Sequence, residues 1–332
     1  MPTIAVVGSL NYDLVTTAES IPEGGETVPA KDFSTFFGGK GANQALAACR
    51  LSDLAVTKVK MIGRVGTDQF GDEIKHALLE EGVDVTNVVN LKGERTGIAT
   101  ILVESATGEN RILVFPGANG KLVQEDITED TFKGVDFVIV QNEVSLAVAF
   151  HSLELANQLG IKTVYNPSPV HRDIPKSVFK LVDYLIVNSS EAQVLSDYSV
   201  LINGDPGLAK AVIPTLFSRL RSKSIIITLG AEGCVFYDSS SRSSRHVPAI
   251  KVGKVVDTTG AGDTFLGGLT AKLVLGESLA DSIAFASRAA AISVTRHGAF
   301  EGIPRLNDIE KLEETTSNKP DHESVNGEAV TK

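Results

Sequence analysis

Asp257-Thr258-Thr259-Gly260-Ala261-Gly262-Asp263-Thr264-Phe265 leads directly into the apolar, helix-spaced run Leu266 to Leu275. Glycines at 260 and 262 let the backbone turn with uncovered N–H groups, and the helix beginning there adds partial positive charge. Together they form a site for phosphate oxygens. Upstream, the apolar runs Thr3 to Val7, Lys58 to Ile62, Phe137 to Val140, Lys162 to Tyr165, Tyr184 to Val187 and Ser224 to Leu229 read as buried strands. They alternate with helix-spaced segments, which predicts a parallel sheet in an α/β fold. Between the first two strands, Ala42, Ala45, Leu46 and Cys49 fall on one face of a helix after Gly39, and its small residues predict close packing.

Asp263 stands at the mouth of this anion site. A carboxylate there repels phosphate, and the task that suits it is accepting a proton from a hydroxyl attacking a γ-phosphate. A lone Asp beside a helix start ordinarily reads as a cap; the flanking Gly260-Ala261-Gly262 turns the reading toward a base.

Tyr12 to Phe37 and Thr96 to Phe115 break the alternation, the second reading as a hairpin turned at Ala106-Thr107-Gly108-Glu109. Both are assigned to one small β subdomain, an accessory sheet or lid fed by excursions from the main one. Helices are expected over Ala261 to Leu275, Leu279 to Thr295 and Arg305 to Glu314. Thr315 to Lys332 holds only Val325, Ala329 and Val330 as apolar residues and is expected to be a disordered tail. Asp238 to Arg245, with five serines in eight positions, is a hairpin tip or a polar linker. No internal repeat is visible.

With 332 residues, 42% hydrophobic and 22% charged, the chain can bury one large core or two modest ones. No apolar run approaches the ~18 residues of a spanning helix. No basic n-region with an apolar h-region opens the chain, and only Cys49 and Cys234 are present. The expectation is a cytoplasmic protein in a reducing compartment, the nucleus left open, with no membrane partner. A net charge of −10 and the absence of Trp argue against a nucleic-acid partner and favour small molecules. Lys40 is followed by Gly41 rather than Ser or Thr, so there is no P-loop, and neither glycine motif continues into GxGxxG. The six histidines show no ligand spacing, so neither a zinc site nor a Ser-His-Asp hydrolase is indicated.

Asp257 to Asp263 resembles the signature of the ribokinase and phosphofructokinase-B family of sugar kinases, and Gly38-Gly39-Lys40-Gly41-Ala42-Asn43-Gln44-Ala45 resembles the sugar-binding motif of its pentose branch. The likeness runs from Ile4 to about Arg305. It includes Gly8-Ser9-Leu10-Asn11-Tyr12-Asp13, Asn166-Pro167-Ser168-Pro169, Asn188-Ser189-Ser190-Glu191, Thr228-Leu229-Gly230 and Val294-Thr295-Arg296-His297-Gly298-Ala299, in the family's order. The resemblance implies a three-layer αβα kinase domain over 1–314, with a mainly parallel sheet, lid segments at about 12–37 and 96–115, and a homodimer formed through the lid sheet.

It further implies ATP-dependent phosphorylation of D-ribose at O5, with Asp263 as base and the backbone of Gly260, Ala261, Gly262 and Asp263 as anion hole. Asn11, Asp13, Gly39, Lys40, Gly41, Asn43 and Glu143 would hold the sugar, a set that suits a ligand bearing hydroxyls on all sides. By themselves Asn11 and Asp13 read as turn residues and Asn43 as a buried cap partner; Lys40 could serve the sugar, a phosphate or a neighbouring carboxylate. Asn188 and Glu191 would lie near the triphosphate and its Mg²⁺, while Ser189 or Ser190 could cap the helix that follows. Thr228, Gly230, Ala231, Glu232 and Gly233 would line the nucleotide, with the glycines alternatively forming only a hairpin, and Ser287 would flank the adenine. A K⁺ site is implied at Asp257, Thr259, Ser293, Arg296, Gly298 and Gly302. Leu266 departs from the pattern, which carries Asn. The competing readings are a kinase for deoxyribose or a nucleoside and a silent sugar sensor, the latter disfavoured because a sensor needs no base.

Overall fold

The computed structural model describes residues 1–198 and 201–317. From β1 (Thr3–Val7) the chain leaves to form β2 (Asn11–Ala18) and β3 (Ala30–Gly38), then returns through α1 (Lys40–Arg50), β4 (Lys58–Gly66), α2 (Gln69–Glu80) and β5 (Asp84–Leu91). A second excursion makes β6 (Gly97–Glu104) and β7 (Asn110–Phe115). Then follow β8 (Phe137–Gln141), α3 (Leu146–Gln158), β9 (Lys162–Asn166), α4 (Lys176–Phe179), β10 (Tyr184–Asn188), α5 (Ser189–Ser196), α6 (Pro206–Leu220) and β11 (Ser224–Thr228). The chain closes with β12 (Cys234–Asp238), β13 (Ser243–Val247), α7 (Ala261–Leu273), α8 (Leu279–Ser293), α9 (Ala299–Gly302) and α10 (Leu306–Ser317).

Among the described residues, nine strands form one sheet in the order β13-β12-β11-β10-β9-β8-β1-β4-β5, parallel from β5 to β11, with β12 and β13 antiparallel at one edge. Alternate strand residues point to opposite faces and build two apolar layers. Ile4, Val6, Met61, Ile139 and Ile226 pack beneath α1, α7 and α8, whereas Ala5, Val7, Val138, Val140 and Ile227 pack against α3, α5 and α6. This is a three-layer αβα arrangement. Close packing through small residues is most evident where α1 meets α7: a Cβ added at Gly267 would stand 2.4 Å from the Ala47 methyl.

The two excursions form a separate four-stranded sheet, β3-β2-β6-β7, with β2 and β6 parallel and both outer pairs antiparallel. Its base is pinned by aromatic rings: Tyr12 stacks on Phe70 at 4.3 Å, and Phe37 meets Phe300 edge-on at 5.2 Å.

Two features differ from expectation. The edge strands β5 and β13 do not stand out in the sequence because their polar and apolar residues mix, as suits strands covered on fewer sides, and β12, a short apolar strand beside β13, was not expected either. The serine-rich stretch takes the hairpin reading: Ser239 to Arg242 form the tip joining β12 to β13, with Arg242 in the left-handed region at φ 50°. The last helix runs on to Ser317, past the expected stop at Glu314, so residues 315–317 are helical; the rest of the expected tail, 318–332, lies outside the described residues. No helix among the described residues is long and apolar enough to cross a membrane.

Candidate active site

Helix α7 begins at Gly260, whose φ of 75° places it in the left-handed region. A side chain there would also strike Ala299, 2.8 Å from the Cβ position, so glycine is required twice over. The Ala261 N–H bonds the Thr258 carbonyl at 3.3 Å and the Thr264 N–H starts the helical ladder on Gly260. Ala261 is therefore not a free anion donor as expected. The first-turn N–H groups without helical partners are those of Gly262 and Asp263, and a Cβ at Gly262 would meet nothing within 4 Å.

Asp263 is 8% exposed. Its carboxylate does not cap its own helix; Gly260 is the N-cap and offers no side chain. Instead Oδ1 accepts from Gln44 Nε2 at 2.8 Å and Oδ2 from Asn43 Nδ2 at 3.2 Å. Burial raises the carboxyl above the usual aspartate range, and the Lys40 ammonium and the two amides oppose that rise without cancelling it. Lys40 is correspondingly held above the usual lysine range, mainly by Asp263 and against burial, with Glu143 and Glu191 adding to it.

Around Asp263 a cleft of about 140 Å³ opens at the C-terminal ends of β9, β10 and β11. Lys40, Asn166, Asn188, Glu191, Thr228 and Gly262 line it, and so does Leu266, one turn beyond the carboxylate. This is where parallel sheets place ligands, because the strand ends deliver side chains while the following helices deliver N–H groups.

The sugar-motif residues gather beside it. Glu143 Oε2 accepts from Ser9 Oγ at 2.6 Å and from the Lys40 N–H at 2.9 Å, tying the start of α1 to the end of β8. Gly39 has φ 86°, and Cβ atoms at Gly39 or Gly41 would press on the backbone of residues 8 to 11 at 2.6–2.9 Å. Asn11 and Asp13 are not turn residues: both lie in β2, Asn11 Oδ1 accepting from Asn119 Nδ2 at 2.8 Å. The Asp13 carboxylate lies across Gly38. Burial pushes its pKa up to about 7, with the Glu143 and Glu301 carboxylates contributing. Asn43 Oδ1 is buried with no partner.

On the nucleotide side, Asn188 itself caps α5, correcting the expectation of Ser189 or Ser190. Its side chain accepts the Glu191 N–H and Glu191 Oε2 accepts the Asn188 N–H, each at 2.9 Å, a reciprocal capping box. Gly230, Ala231, Glu232 and Gly233 form the turn between β11 and β12, so the hairpin reading of the glycines holds structurally. Ser287 is buried in α8 and donates its hydroxyl proton to the Ile283 carbonyl at 2.8 Å, so that donor is not free for a base.

Of the residues expected around a monovalent cation, Asp257 meets Thr259 and Gly298. Asp257 Oδ1 accepts the Thr259 N–H at 2.9 Å and Oδ2 the Gly298 N–H at 3.0 Å. Burial works against this charge, but those bonds and His297 hold the carboxyl below the usual range. The Ser293 and His297 carbonyls approach the open side of Gly302, whereas the Arg296 guanidinium turns away to Asp308 at 3.0 Å. Among the described residues no cluster of three or more His, Cys, Asp or Glu is arranged for a metal ion.

Sequence reasoning assigned no role to Gln44, Gln141, Ser9, Asn119 or Asn166. Gln44 carried a signal, since an amide on a helix face of alanines needs a buried partner; Asn119 carried none, because its partners are more than a hundred residues away.

The pfkB family carbohydrate kinase model matches residues 1–306. The ribokinase of Schizosaccharomyces pombe is 40% identical over 317 residues, covering 93% of this chain and 97% of that one. Similar solved structures include the ribokinase of Cryptococcus neoformans var. grubii in complex with ADP, at 32% identity and TM-score 0.81, covering 94% of this chain and 100% of the other. The Arabidopsis thaliana ribokinase complexed with ribose and ATP is 28% identical with a TM-score of 0.83, covering 94% and 98%. On matched length, on the order of the strands and on the loop that opens α7, this chain belongs to the pfkB family of carbohydrate kinases.

Proposed function

We propose that this protein transfers the γ-phosphoryl group of ATP to the O5 hydroxyl of D-ribose, giving D-ribose 5-phosphate and ADP. The observation that carries the reading is Asp263: a buried carboxylate held by two amides, facing Lys40, on the first turn of a helix whose N–H groups open into a cleft. Similarity to ribokinases, one of them with ribose and ATP, supports the substrates.

Asp263 takes the O5 proton as oxygen bonds to phosphorus and the bond to the bridging oxygen of ADP breaks. Its raised pKa makes it a stronger base than an ordinary aspartate. The N–H groups of Gly262 and Asp263, aided by the α7 dipole, stabilise charge on the transferred phosphoryl oxygens, and Lys40 supplies the nearest positive side chain. Asn43 Oδ1 is a buried acceptor for a sugar hydroxyl, and Asn11, Asp13 and Glu143 complete the sugar site around the close-packed Gly39 and Gly41. Thr228 and the turn from Gly230 to Gly233, with Ala231 and Glu232, are assigned to the nucleotide; Ser287 offers it only helix surface.

Mg²⁺ would be carried on the triphosphate, with Glu191 at the cleft wall the residue that would hold it, and it would neutralise phosphate charge. A K⁺ fits the ionised Asp257 with the Ser293 and His297 carbonyls beside Gly302, and would stiffen the loop ahead of α7. The lid is assigned to the four-stranded sheet, and its outer strand β7 is assigned to a second copy of the chain. Ile112, Leu113, Val114 and Phe115 are all more than half exposed along an unpaired edge. A reducing cytoplasm suits the two free, buried cysteines.

ADP release measured over a panel of ribose, 2-deoxyribose, fructose and adenosine tests the reading. Ribose should give the highest kcat/KM, with a 5-phosphate product in ³¹P NMR. Ribose binding without ADP release would overturn it in favour of a sensor, and a preference for another acceptor would move the assignment within the family.

A further inference from the structure

Joined to Asp263 is a chain of buried amides that no step of phosphoryl transfer uses directly. Gln44 and Gln141 are both 0% exposed. Gln44 Nε2 donates to Asp263 Oδ1 at 2.8 Å, and Gln141 Nε2 donates to Gln44 Oε1 at 2.7 Å. Gln44 Nε2 also lies 3.4 Å from Asn166 Oδ1, at the end of β9. The chain ends on Gln141 Oε1, which is buried with no partner. That oxygen sits against Gly8, where an added Cβ would come within 2.1 Å of it and 2.8 Å of the Gly41 Cα. Glycine at position 8 thus clears the space the chain needs.

The chain has one direction. An ionised carboxylate only accepts hydrogen bonds, so Gln44 must present its NH₂ to Asp263. Its carbonyl then faces Gln141, which must present its own NH₂, leaving Gln141 Oε1 for the wall at Gly8. An unsatisfied buried acceptor is destabilising, and the fold leaves this one at the far end of the chain, while the two hydrogen bonds before it set the orientation of both amides.

We propose that Gln44 is a positioning residue for the base. Held in turn by Gln141, it keeps the Asp263 carboxylate in one orientation and favours its ionised form, with Oδ2, under the looser 3.2 Å contact from Asn43, left to the sugar hydroxyl. This rests on the ribose-kinase reading for its consequence in turnover, but not for its effect on the carboxylate itself. Burial pushes Asp263 toward the neutral acid and the Gln44 hydrogen bond pulls the other way. The charged groups acting on it are Lys40 of α1, which favours ionisation, and Glu143 beyond β8, which disfavours it, with Glu191 of α5 acting on Lys40. Loss of the Gln44 amide therefore moves the pKa of Asp263 upward.

Gln44→Met keeps the length of the side chain and removes its three hydrogen bonds, to Asp263, Asn166 and Gln141. The acid limb of the kcat–pH profile should shift upward by about one unit, and kcat at its plateau should fall about tenfold or more from lost orientation. KM for ribose should change less than twofold, in contrast to Asn43→Ala. Gln141→Met, which leaves the Gln44–Asp263 contact in place but unlocked, should give the same signs with a smaller shift. The Asp263 ionisation is read without turnover as the carboxyl infrared band lost on Asp263→Asn. Its midpoint should rise in Gln44→Met at an unchanged circular-dichroism spectrum. A Gln44→Met protein with wild-type midpoint and acid limb would overturn the proposal, as would a rise in KM alone. If no acceptor is phosphorylated by the wild-type protein, the ribose-kinase reading falls and the infrared midpoint alone decides the role of Gln44.

Discussion

The two ends of the central sheet each bury an aspartate, and they treat it in opposite ways. At the N-terminal end Asp183, 5% exposed, precedes β10 and accepts from the Thr163 N–H at 3.0 Å, from Lys223 at 2.7 Å and from Lys162 at 3.3 Å. Burial opposes its charge, but those partners hold the carboxyl below the usual range. At the C-terminal end Asp263 is buried to a similar degree, yet two neutral amides and one ammonium do not offset desolvation, and its carboxyl stands above the usual range. Burial alone does not mark a catalytic carboxylate. What separates them is whether the partners cancel the desolvation cost, leaving an anchor, or leave part of it, giving a base with affinity for a proton.

Asparagine substitution at both positions breaks this comparison most directly. Asp263→Asn should lose about three orders of magnitude or more in kcat while ribose binding survives, since the amide keeps the shape and cannot take the proton. Asp183→Asn should leave kcat within about twofold and lower stability by about 2 kcal/mol, read by urea denaturation, because an NH₂ then faces donors. The distinction collapses if Asp183→Asn stops turnover in a stable protein, or if folded Asp263→Asn turns over normally.

Next in size are the sugar-site residues at the same C-terminal end. Asn43→Ala and Glu143→Ala should each raise KM for ribose by about 5- to 150-fold, equivalent to ~1–3 kcal/mol for an unpartnered hydroxyl, with KM for ATP little changed. A change confined to ATP would assign them to the other ligand.

Asp13 sharpens the contrast through pH. Its pKa is pushed up from 3.8 to about 7, so below the ordinary value it is neutral in both folded and unfolded chains and carries no penalty. Between about pH 4 and 7 the unfolded carboxyl ionises while the native one resists, and the ligand-free protein should lose stability with rising pH, levelling above 7. Asp183 contributes with the opposite sign: its stabilisation is present above the unfolded pKa and is lost as pH falls through its lowered native one. Sugar hydroxyls donate best to an ionised Asp13, so the ribose Kd should tighten about tenfold from pH 6 to pH 8, and Asp13→Asn should flatten both profiles. Calorimetric titration checks the ribose affinity and thermal melts the stability; a ribose Kd independent of pH would remove Asp13 from the sugar site.

The smallest expected effect concerns Asp257, which resembles Asp183 in its low pKa but lies beside the anion loop. Replacing K⁺ by Na⁺ or tetramethylammonium at constant ionic strength should lower kcat by about two- to tenfold with little change in KM for ribose, and Asp257→Ala should remove the response. Equal rates in all three salts would reduce this to ionic screening.

The main strands, the helix after Gly39 and the turn opening α7 were legible because each is local: apolar runs, periodic small residues and paired glycines record burial and backbone conformation within a few residues. Asp263 and Asn43 were legible as members of motifs, and Glu143 only through the family resemblance those motifs carry. Other features required the tertiary structure, because they join residues far apart in the chain. Gln44 meets Asp263 across more than two hundred residues, Asn11 finds Asn119, and Asn188 rather than either following serine caps α5. The elevated carboxyls of Asp13 and Asp263 and the depressed one of Asp183 likewise could not be read from three identical side chains. Composition fixes which groups can ionise, but desolvation and partner geometry, which exist only once the sheet and its helices pack, decide at what pH they do so.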